Sequence, residues 1–295
     1  MADQACVRRY LDRRCVLAFV TLTVLARAFA DAGEGRPGIE SWSVFSQAEV
    51  AALPANGLAL KSNASMNLPR GLSAQAIYIV DAKPESAVRI LKGLDPTRFP
   101  ELEVFQQRTF TAEGEARFGE LKIDPGVAPF QRLLGEMMAP KNLQMSNEER
   151  ARLPRQKNVA AAQEFWAQVL RERWTRFARE GQLAPAGGFD ARGELRALLH
   201  EEAKVSGHFA ALLPFWMGVG GKTDVPATSH YWDVSSTEGI ANFELGAIFE
   251  RTENERWQVA DVTYYSSSGY IAAMSLFEFL PLTGGPRAQT LVWHG

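Results

Sequence analysis

The 295-residue chain has few of the residues that metal centres and disulfide scaffolds require. It contains four histidines and two cysteines, and both cysteines, Cys6 and Cys15, lie near the N-terminus. The zinc-binding helix pattern needs two histidines four positions apart, but Lys204 stands where His200 would need its partner. A serine nucleophile motif of the Gly-x-Ser-x-Gly kind is also missing. We therefore expect no metal, no cofactor and no disulfide in the mature protein.

The chain also lacks a strong excess of either charge. It carries 32 basic and 34 acidic residues, a net charge of −2, whereas nucleic-acid-binding domains usually show a basic stripe. Apolar residues make up 46% and charged residues 22%, values typical of globular proteins rather than disordered or fibrous ones. We expect no nucleic acid among its partners. The composition leaves the oligomeric state open.

The N-terminus has the three parts of an export signal. Arginines are concentrated in residues 8–14, an apolar run covers residues 15–26, and Ala28-Phe29-Ala30 is a small-x-small cleavage pattern. A membrane span needs about 20 apolar residues, so this run is too short for a stable anchor. The pattern predicts export to the periplasm or the medium, with cleavage after Ala30. A buried N-terminal helix is the alternative.

Cleavage would remove five basic and two acidic residues together with both cysteines, leaving a net charge of −5. Residues 31–40 are rich in glycine and predict a flexible leader. Residues 41–295 would then form one α+β domain. Its central part, about 126–217, is predicted to be a helical insert.

Helix boundaries are marked by capping residues. Pro84 suits the first turn of a helix that runs to about Lys92. Ser146 and Glu149 form a capping-box pattern, and Asn158 precedes the longest apolar-periodic stretch, which Gly181 ends near residue 180. Further short helices are predicted over about 47–53 and from Asp190 to a break at Ser206-Gly207.

Strands are predicted from runs rich in β-branched and aromatic residues. They lie at 75–80, 101–111, 116–123, 228–234, 240–250, 256–265, 270–280 and 287–294. Because the strands come in runs rather than alternating with helices, an antiparallel sheet is favoured. The fold class is therefore α+β, with a C-terminal β-meander.

One segment resembles a known superfamily. Ile77 to Leu91, with the sequence IYIVDAKPESAVRIL, is similar to the first strand and helix of START-like (helix-grip) lipid- and ketide-binding domains. The resemblance covers 15 residues and includes no catalytic residue. It implies an antiparallel sheet that wraps a hydrophobic cavity, and therefore a lipophilic ligand.

The alternation of side chains along the meander predicts a ligand-binding face. With hairpin loops centred on 235–239, 251–255 and 266–269, one face has small residues in its middle and aromatic residues toward its edges. Either a helix packs on these small residues or a ligand cavity lies over them. The candidate ligand-binding residues are Trp232, Asn242, Gly246, Ala260, Ala273, Ser275 and Phe277.

In the same register His230 lies opposite Glu244. A carboxylate beside an imidazole can orient it and raise its basicity, so His230 with Glu244 or Asp261 is the candidate catalytic group of a hydrolase. A structural pair is the alternative. Asp233 and Glu278 also lie in apolar strands, where a carboxylate either acts as an acid or base or pairs with an arginine.

Taken together, these patterns favour an exported protein that binds a lipophilic small molecule without catalysis. A secreted hydrolase is the first alternative. An envelope interaction protein without a pocket is the second.

Overall fold

The structure is a computed structural model that describes residues 38–54, 57–62, 72–111, 116–156, 158–181, 183, 190–213, 216, 226–253, 255–283 and 287–295. The predicted export signal, its cleavage site and residues 31–37 of the predicted leader lie outside the described residues.

The described part contains eight strands in one antiparallel sheet. In chain order they are β1 (Leu58–Ser62), β2 (Ala74–Val80), β3 (Val104–Phe110), β4 (Ser229–Thr237), β5 (Ile240–Glu253), β6 (Arg256–Ser266), β7 (Ala273–Leu282) and β8 (Gln289–His294). Their spatial order is β1-β2-β8-β7-β6-β5-β4-β3. Strands β4 to β8 are the predicted C-terminal meander, and β8 returns to pair with β2. The α+β class with an antiparallel sheet is confirmed.

Seven α-helices are described. They are α1 (Gln47–Ala52), α2 (Pro84–Lys92), α3 (Ala128–Glu136), α4 (Asn147–Ala151), α5 (Val159–Glu180), α6 (Ala191–Glu201) and α7 (Ala203–His208). Helices α3 to α7 lie in the chain between β3 and β4, two strands that pair directly. The main helical segment is therefore inserted between neighbouring strands of the sheet.

The capping signals predict the helix ends well. The side chain of Asn158 accepts a hydrogen bond from the backbone N–H of Ala161, and Gly181 adopts the left-handed conformation (φ 64°) that ends α5. Ser146 and Glu149 form the predicted capping box of α4. Pro84 is the first residue of α2.

Two local predictions are wrong. Residues 116–123 do not form a strand, because Phe118–Glu120 is a 3₁₀ turn that follows Arg117 in the left-handed conformation (φ 46°). Ser206 and Gly207 do not break a helix either. They lie within α7, and α6 ends at Glu201, with Glu202 as its C-cap.

The register of the meander also differs from the prediction. The loop between β4 and β5 contains only Glu238 and Gly239, both with positive φ, as a tight type I′ hairpin requires. The pairing is consequently shifted by three positions: His230 lies opposite Ala247, and Glu244 lies opposite Asp233. A shift by an odd number moves a strand's side chains to the other face of the sheet. His230 and Glu244 therefore lie on opposite faces.

One face of the sheet, the helix face, packs against the large core. Trp166 of α5 stacks on Phe243 of β5 with ring centroids 4.7 Å apart. The opposite face, the α2 face, is covered only in part. Ala87 and Val88 of α2 are buried there in a second, smaller core over β6, β7 and β8.

Candidate functional site

A cavity of about 160 Å³ lies on the α2 face, beyond the end of α2. Its floor is formed by β3 to β8, and its roof by the end of α2 and the segment that follows. The lining residues are Leu91, Lys92, Leu94, Pro96, Leu102, Val104, Gln107, Thr109, Tyr231, Asp233, Ser235, Ser236, Thr237, Glu244, Ile248, Val259, Asp261, Ser275, Phe277 and His294. We call this the α2 cavity.

The roof is apolar because of how the chain leaves α2. Gly93 caps the helix, and two 3₁₀ turns, Pro96–Arg98 and Pro100–Leu102, then cross toward β3. Asp95 stabilises the first turn by accepting a hydrogen bond from the backbone N–H of Thr97 at 3.1 Å. This path places apolar side chains of residues 91–102 over the polar floor.

A solvent-facing groove of about 450 Å³ adjoins the cavity along β3. The two share Lys92, Leu94, Gln107 and Thr109 among their lining residues. The shared residues mark a route from solvent into the cavity.

The tyrosine of the floor is positioned by a glycine on the neighbouring strand. Tyr231 pairs with Gly246, and a Cβ at Gly246 would lie 2.0–2.3 Å from atoms of the tyrosine ring and its hydroxyl. Without that Cβ, the ring lies across β5 and reaches β6. Its hydroxyl donates to Asp261 at 2.8 Å and lies 3.0 Å from the hydroxyl of Thr263. The space that the small residue Gly246 was expected to leave empty is thus filled by the Tyr231 ring.

Glu244 is oriented by donors from three directions. The Asn242 amide (2.7 Å), the Ser235 hydroxyl (3.4 Å) and the Tyr270 hydroxyl all donate to its Oε1. The side-chain oxygen Oδ1 of Asn242 accepts from the backbone N–H of Ser268 at 2.9 Å, which fixes the orientation of the side-chain amide. Glu244 is therefore held in place at the cavity floor.

Three carboxylates from neighbouring strands line the cavity floor, two of them side by side. Asp233 of β4 is directly opposite Glu244 of β5, and the two residues are 5% and 3% exposed. Asp261 of β6 lies next to Ser275 of β7, also on the floor. Among the described residues, no three His, Cys, Asp or Glu side chains are arranged so that they could hold a metal ion.

The structure divides the predicted ligand-binding residues between the two faces. Ser275 and Phe277 line the α2 cavity, while Gly246 and Asn242 support it from the same face. Ala273 is also on this face, opposite Thr263.

The other two predicted ligand-binding residues lie on the helix face. Ala260 pairs with Phe249 and is fully buried in the large core. Trp232, also fully buried, donates from its indole N–H to the carbonyl of Ala116 at 2.9 Å. Trp232 faces away from the α2 cavity because of the shift between β4 and β5, and Ala260 does so because the pairing of β5 with β6 is also shifted by three positions.

The predicted catalytic pair is not assembled. Glu244 and Asp261 lie at the cavity floor, but His230 is buried on the helix face among Phe110, Trp174 and Phe177. Burial among these rings lowers the pKa of His230 to about 4, and its Nδ1 has no hydrogen-bond partner. His230 is thus a neutral core residue.

A different histidine meets a carboxylate. His208, at the end of α7, contacts Glu278 on the helix face of β7, and its ring stacks on Trp42 with centroids 4.0 Å apart. Glu278 is 1% exposed. The contact attaches α7 to the sheet.

The sequence prediction missed Tyr231, His294 and the roof residues. The signal available for the floor was the presence of acidic residues in apolar strands, which singled out Asp233 and Asp261. The roof had no signal, because residues 94–102 carry no motif.

Comparison with known proteins adds no relative. No family model, curated protein or solved structure matches the chain. Among the described helices, none is long and apolar enough to cross a membrane.

Proposed function

We propose that the protein binds a small organic molecule in the α2 cavity and does not transform it. The observation that carries this proposal is the partly open cavity itself, with an apolar roof and a polar floor. Ligand sites are typically apolar pockets with a few placed polar groups. The oriented Glu244 and the Tyr231–Asp261 pair provide such groups.

The volume of the cavity suits a ligand of about one ring. Drug-sized ligands occupy pockets of roughly 300–1,000 Å³, whereas a cavity of about 150 Å³ accommodates benzene. We therefore propose that the lipophilic ligand expected from the sequence is small and carries a polar group.

The hydrolase alternative loses its support, since His230 faces away from Glu244 and Asp261. A START-like relationship stays a proposal. It is supported by the strand-then-helix order of β2 and α2, followed by an antiparallel sheet. An envelope interaction protein without a pocket is the remaining alternative.

Export likewise stays a proposal, supported by the tripartite pattern of residues 1–30. N-terminal sequencing of protein recovered from outside the cytoplasm should begin at Asp31. A soluble, folded product that retains Met1 would contradict it.

A cavity-filling variant tests the binding function. Ser275 lines the cavity, so Ser275→Leu should fill it, and calorimetric titration with toluene, benzyl alcohol, benzylammonium and benzoate should show binding to the parent protein but not to the variant. The control is Ala260→Leu on the helix face. This substitution should overpack the core and destabilise the protein by about 1–3 kcal/mol, but the variant should still bind the probes. If no probe binds the parent saturably, or if S275L binds equally well, the proposal is wrong.

A further inference from the structure

We propose that the ligand of the α2 cavity is a short peptide that pairs in an extended conformation with the outer edge of β3 and places an apolar side chain in the cavity. This inference rests on the proposed binding function and specifies its ligand class. Three features support it: the edge position of β3, the groove beside that edge, and the opening between the groove and the cavity.

The backbone of β3 directs hydrogen-bonding groups away from the sheet. β3 is the last strand of the described sheet, where only β4 pairs with it. Groups along an antiparallel strand point alternately toward a neighbouring strand and away from it. The N–H of Ser236 in β4 donates to the carbonyl of Glu103 at 3.0 Å, so Ser236 points toward β3. The partners of Gln107 and Thr109 lie three and five positions before Ser236 and point away from β3. Gln107 and Thr109 therefore direct their N–H and C=O groups outward.

A side-chain contact supports this direction. A guanidinium N–H of Arg108 donates to the carbonyl oxygen of Gln107 at 2.8 Å, as expected if that carbonyl faces away from β4. A carbonyl oxygen has two lone pairs, so a second donor can still bind it. No other hydrogen bond in the described part of the chain uses the N–H of Gln107 or the backbone groups of Thr109. The edge therefore offers two donors and two acceptors to a ligand.

The groove keeps this edge accessible. The neighbouring segment, residues 120–122, contacts β3 through side chains. The side-chain amide of Gln106 donates to the carbonyl of Lys122 at 2.6 Å and accepts from its N–H at 2.8 Å. Such contacts hold the segment at the distance of a side chain, and about 450 Å³ of space lies among it, β3 and residues 92–97. Residues 105–109 line this space over about 17 Å, the length of an extended pentapeptide.

The cavity lies where such a peptide would direct a side chain. Gln107 and Thr109 line both the groove and the cavity, so their side chains lie on the α2 face. Directly opposed residues of paired strands have their side chains on the same face. A peptide residue opposite Thr109 would therefore direct its side chain toward the cavity. At about 160 Å³, that space suits a single ring.

The backbone pattern favours a peptide among ligands with one ring. Outward N–H and C=O groups recur at every second residue, about 6.8 Å apart, which is the repeat of an extended peptide backbone. In strand addition, main-chain hydrogen bonds provide the affinity and pockets for alternate side chains provide the specificity. The edge of β3 would supply the hydrogen bonds, and the α2 cavity would supply one pocket.

Capped pentapeptides test the ligand class. Acetyl-Thr-Thr-Phe-Thr-Thr-amide combines strand-forming residues with one ring, and replacement of Phe by Ser removes the ring. With Phe opposite Thr109, the N–H of Phe faces β3, whereas the N–H of the fourth peptide residue faces away. At pH 7 we expect calorimetric titration to show that the Phe peptide binds at least tenfold more tightly than the Ser peptide and than the analogue N-methylated at Phe. N-methylation at the fourth residue should change the affinity less than threefold.

A pair of variants tests the edge from the side of the protein. Thr109→Pro removes the outward N–H, and an edge strand tolerates proline where the N–H does not join the ladder. Thr109→Val alters the same side chain but retains the N–H. T109P should bind the Phe peptide at least fivefold more weakly than T109V, whereas the two variants should bind toluene equally. Circular dichroism verifies folding, and if T109P does not fold, the N-methylated peptides decide the question on the unmodified protein.

The outcomes separate the two proposals. If toluene binds the parent protein and S275L abolishes that binding, but the Phe peptide does not bind, the binding function stands and the peptide inference is wrong. Equal affinities for the two N-methylated peptides would also overturn the inference, because binding would not depend on pairing with β3. If neither toluene nor the Phe peptide binds the parent protein, the binding function itself fails.

Discussion

The buried imidazole of His230 should make the stability of the protein strongly dependent on pH. Phe110, Trp174 and Phe177 surround the ring, and this burial lowers its pKa from 6.5 to about 4. A difference of one pKa unit corresponds to about 1.4 kcal/mol. Protonation of His230 can therefore lower the free energy of unfolding by about 3 kcal/mol in total.

The sign follows from the number of bound protons. Between pH 6.5 and pH 4 the unfolded chain binds a proton at His230 that the folded chain does not bind. The free energy of unfolding therefore falls as the pH is lowered through this window, and the contribution is constant below it. At pH 4.5 the loss attributable to His230 should be about 2.5 kcal/mol relative to pH 7.5.

His230→Phe is the matching perturbation, since it keeps a ring in the aromatic cluster and removes the titrating group. Urea unfolding of both proteins at pH 7.5, 6.5, 5.5 and 4.5 gives the difference directly, because the carboxylates are common to both. At pH 7.5 the variant should be at least as stable as the parent, since Nδ1 of His230 has no partner to lose. Parallel pH curves for the two proteins would refute the reasoning. His200→Phe, at an exposed position on α6, should retain the parent curve.

Two further substitutions test the architecture. Gly246→Ala should displace the Tyr231 ring, destabilise the protein by about 1–3 kcal/mol and abolish probe binding in the α2 cavity; unchanged binding would show that the ring does not shape the floor. Arg173→Met should cost about 3–5 kcal/mol in urea unfolding, because Arg173 and Glu149 form a buried ion pair at 2.6 Å and the carboxylate would lose its partner charge. A cost below about 1 kcal/mol would mean that Glu149 is adequately held by the backbone N–H of Ser146.

The sequence predicts elements better than it predicts their register. Helix ends follow from local chemistry, and Asn158 and Gly181 mark α5 at both ends as expected. Register depends on loop length, and the hairpin at Glu238–Gly239 lacks the Asn-Gly or Asp-Gly pair that signals a two-residue turn. An error of three positions there transfers Trp232 and His230 to the opposite face.

Only some individual residues of the candidate site could be predicted from the sequence, and their arrangement could not. Ser275 and Phe277 of β7 lie on the expected face, because the observed pairings of β5 with β6 and of β6 with β7 place them on the same face as Asn242 and Gly246 of β5. Tyr231 could not be found from spacing, since it depends on the absence of a side chain at Gly246 on another strand. The roof could not be found either, because Leu94 and Leu102 reach the cavity through two 3₁₀ turns that have no periodic pattern.

The length of α2 explains why this helix does not cover the polar floor of the cavity. At about 1.5 Å per residue, its nine residues extend about 13.5 Å, whereas eight strands about 4.8 Å apart extend about 34 Å. Even laid straight across the strands, α2 spans about three of them, and it packs mainly on β6, β7 and β8, with Lys92 at its end paired to Glu250 of β5.

The part of the α2 face next to β4 and β5 therefore cannot be covered by this helix, and it is there that Asp233 and Glu244 lie. A helix long enough to cover them would bury two carboxylates under apolar side chains, which is costly unless a compensating charge is present. Because the helix is short, these polar side chains face the α2 cavity instead of the apolar side chains of a helix.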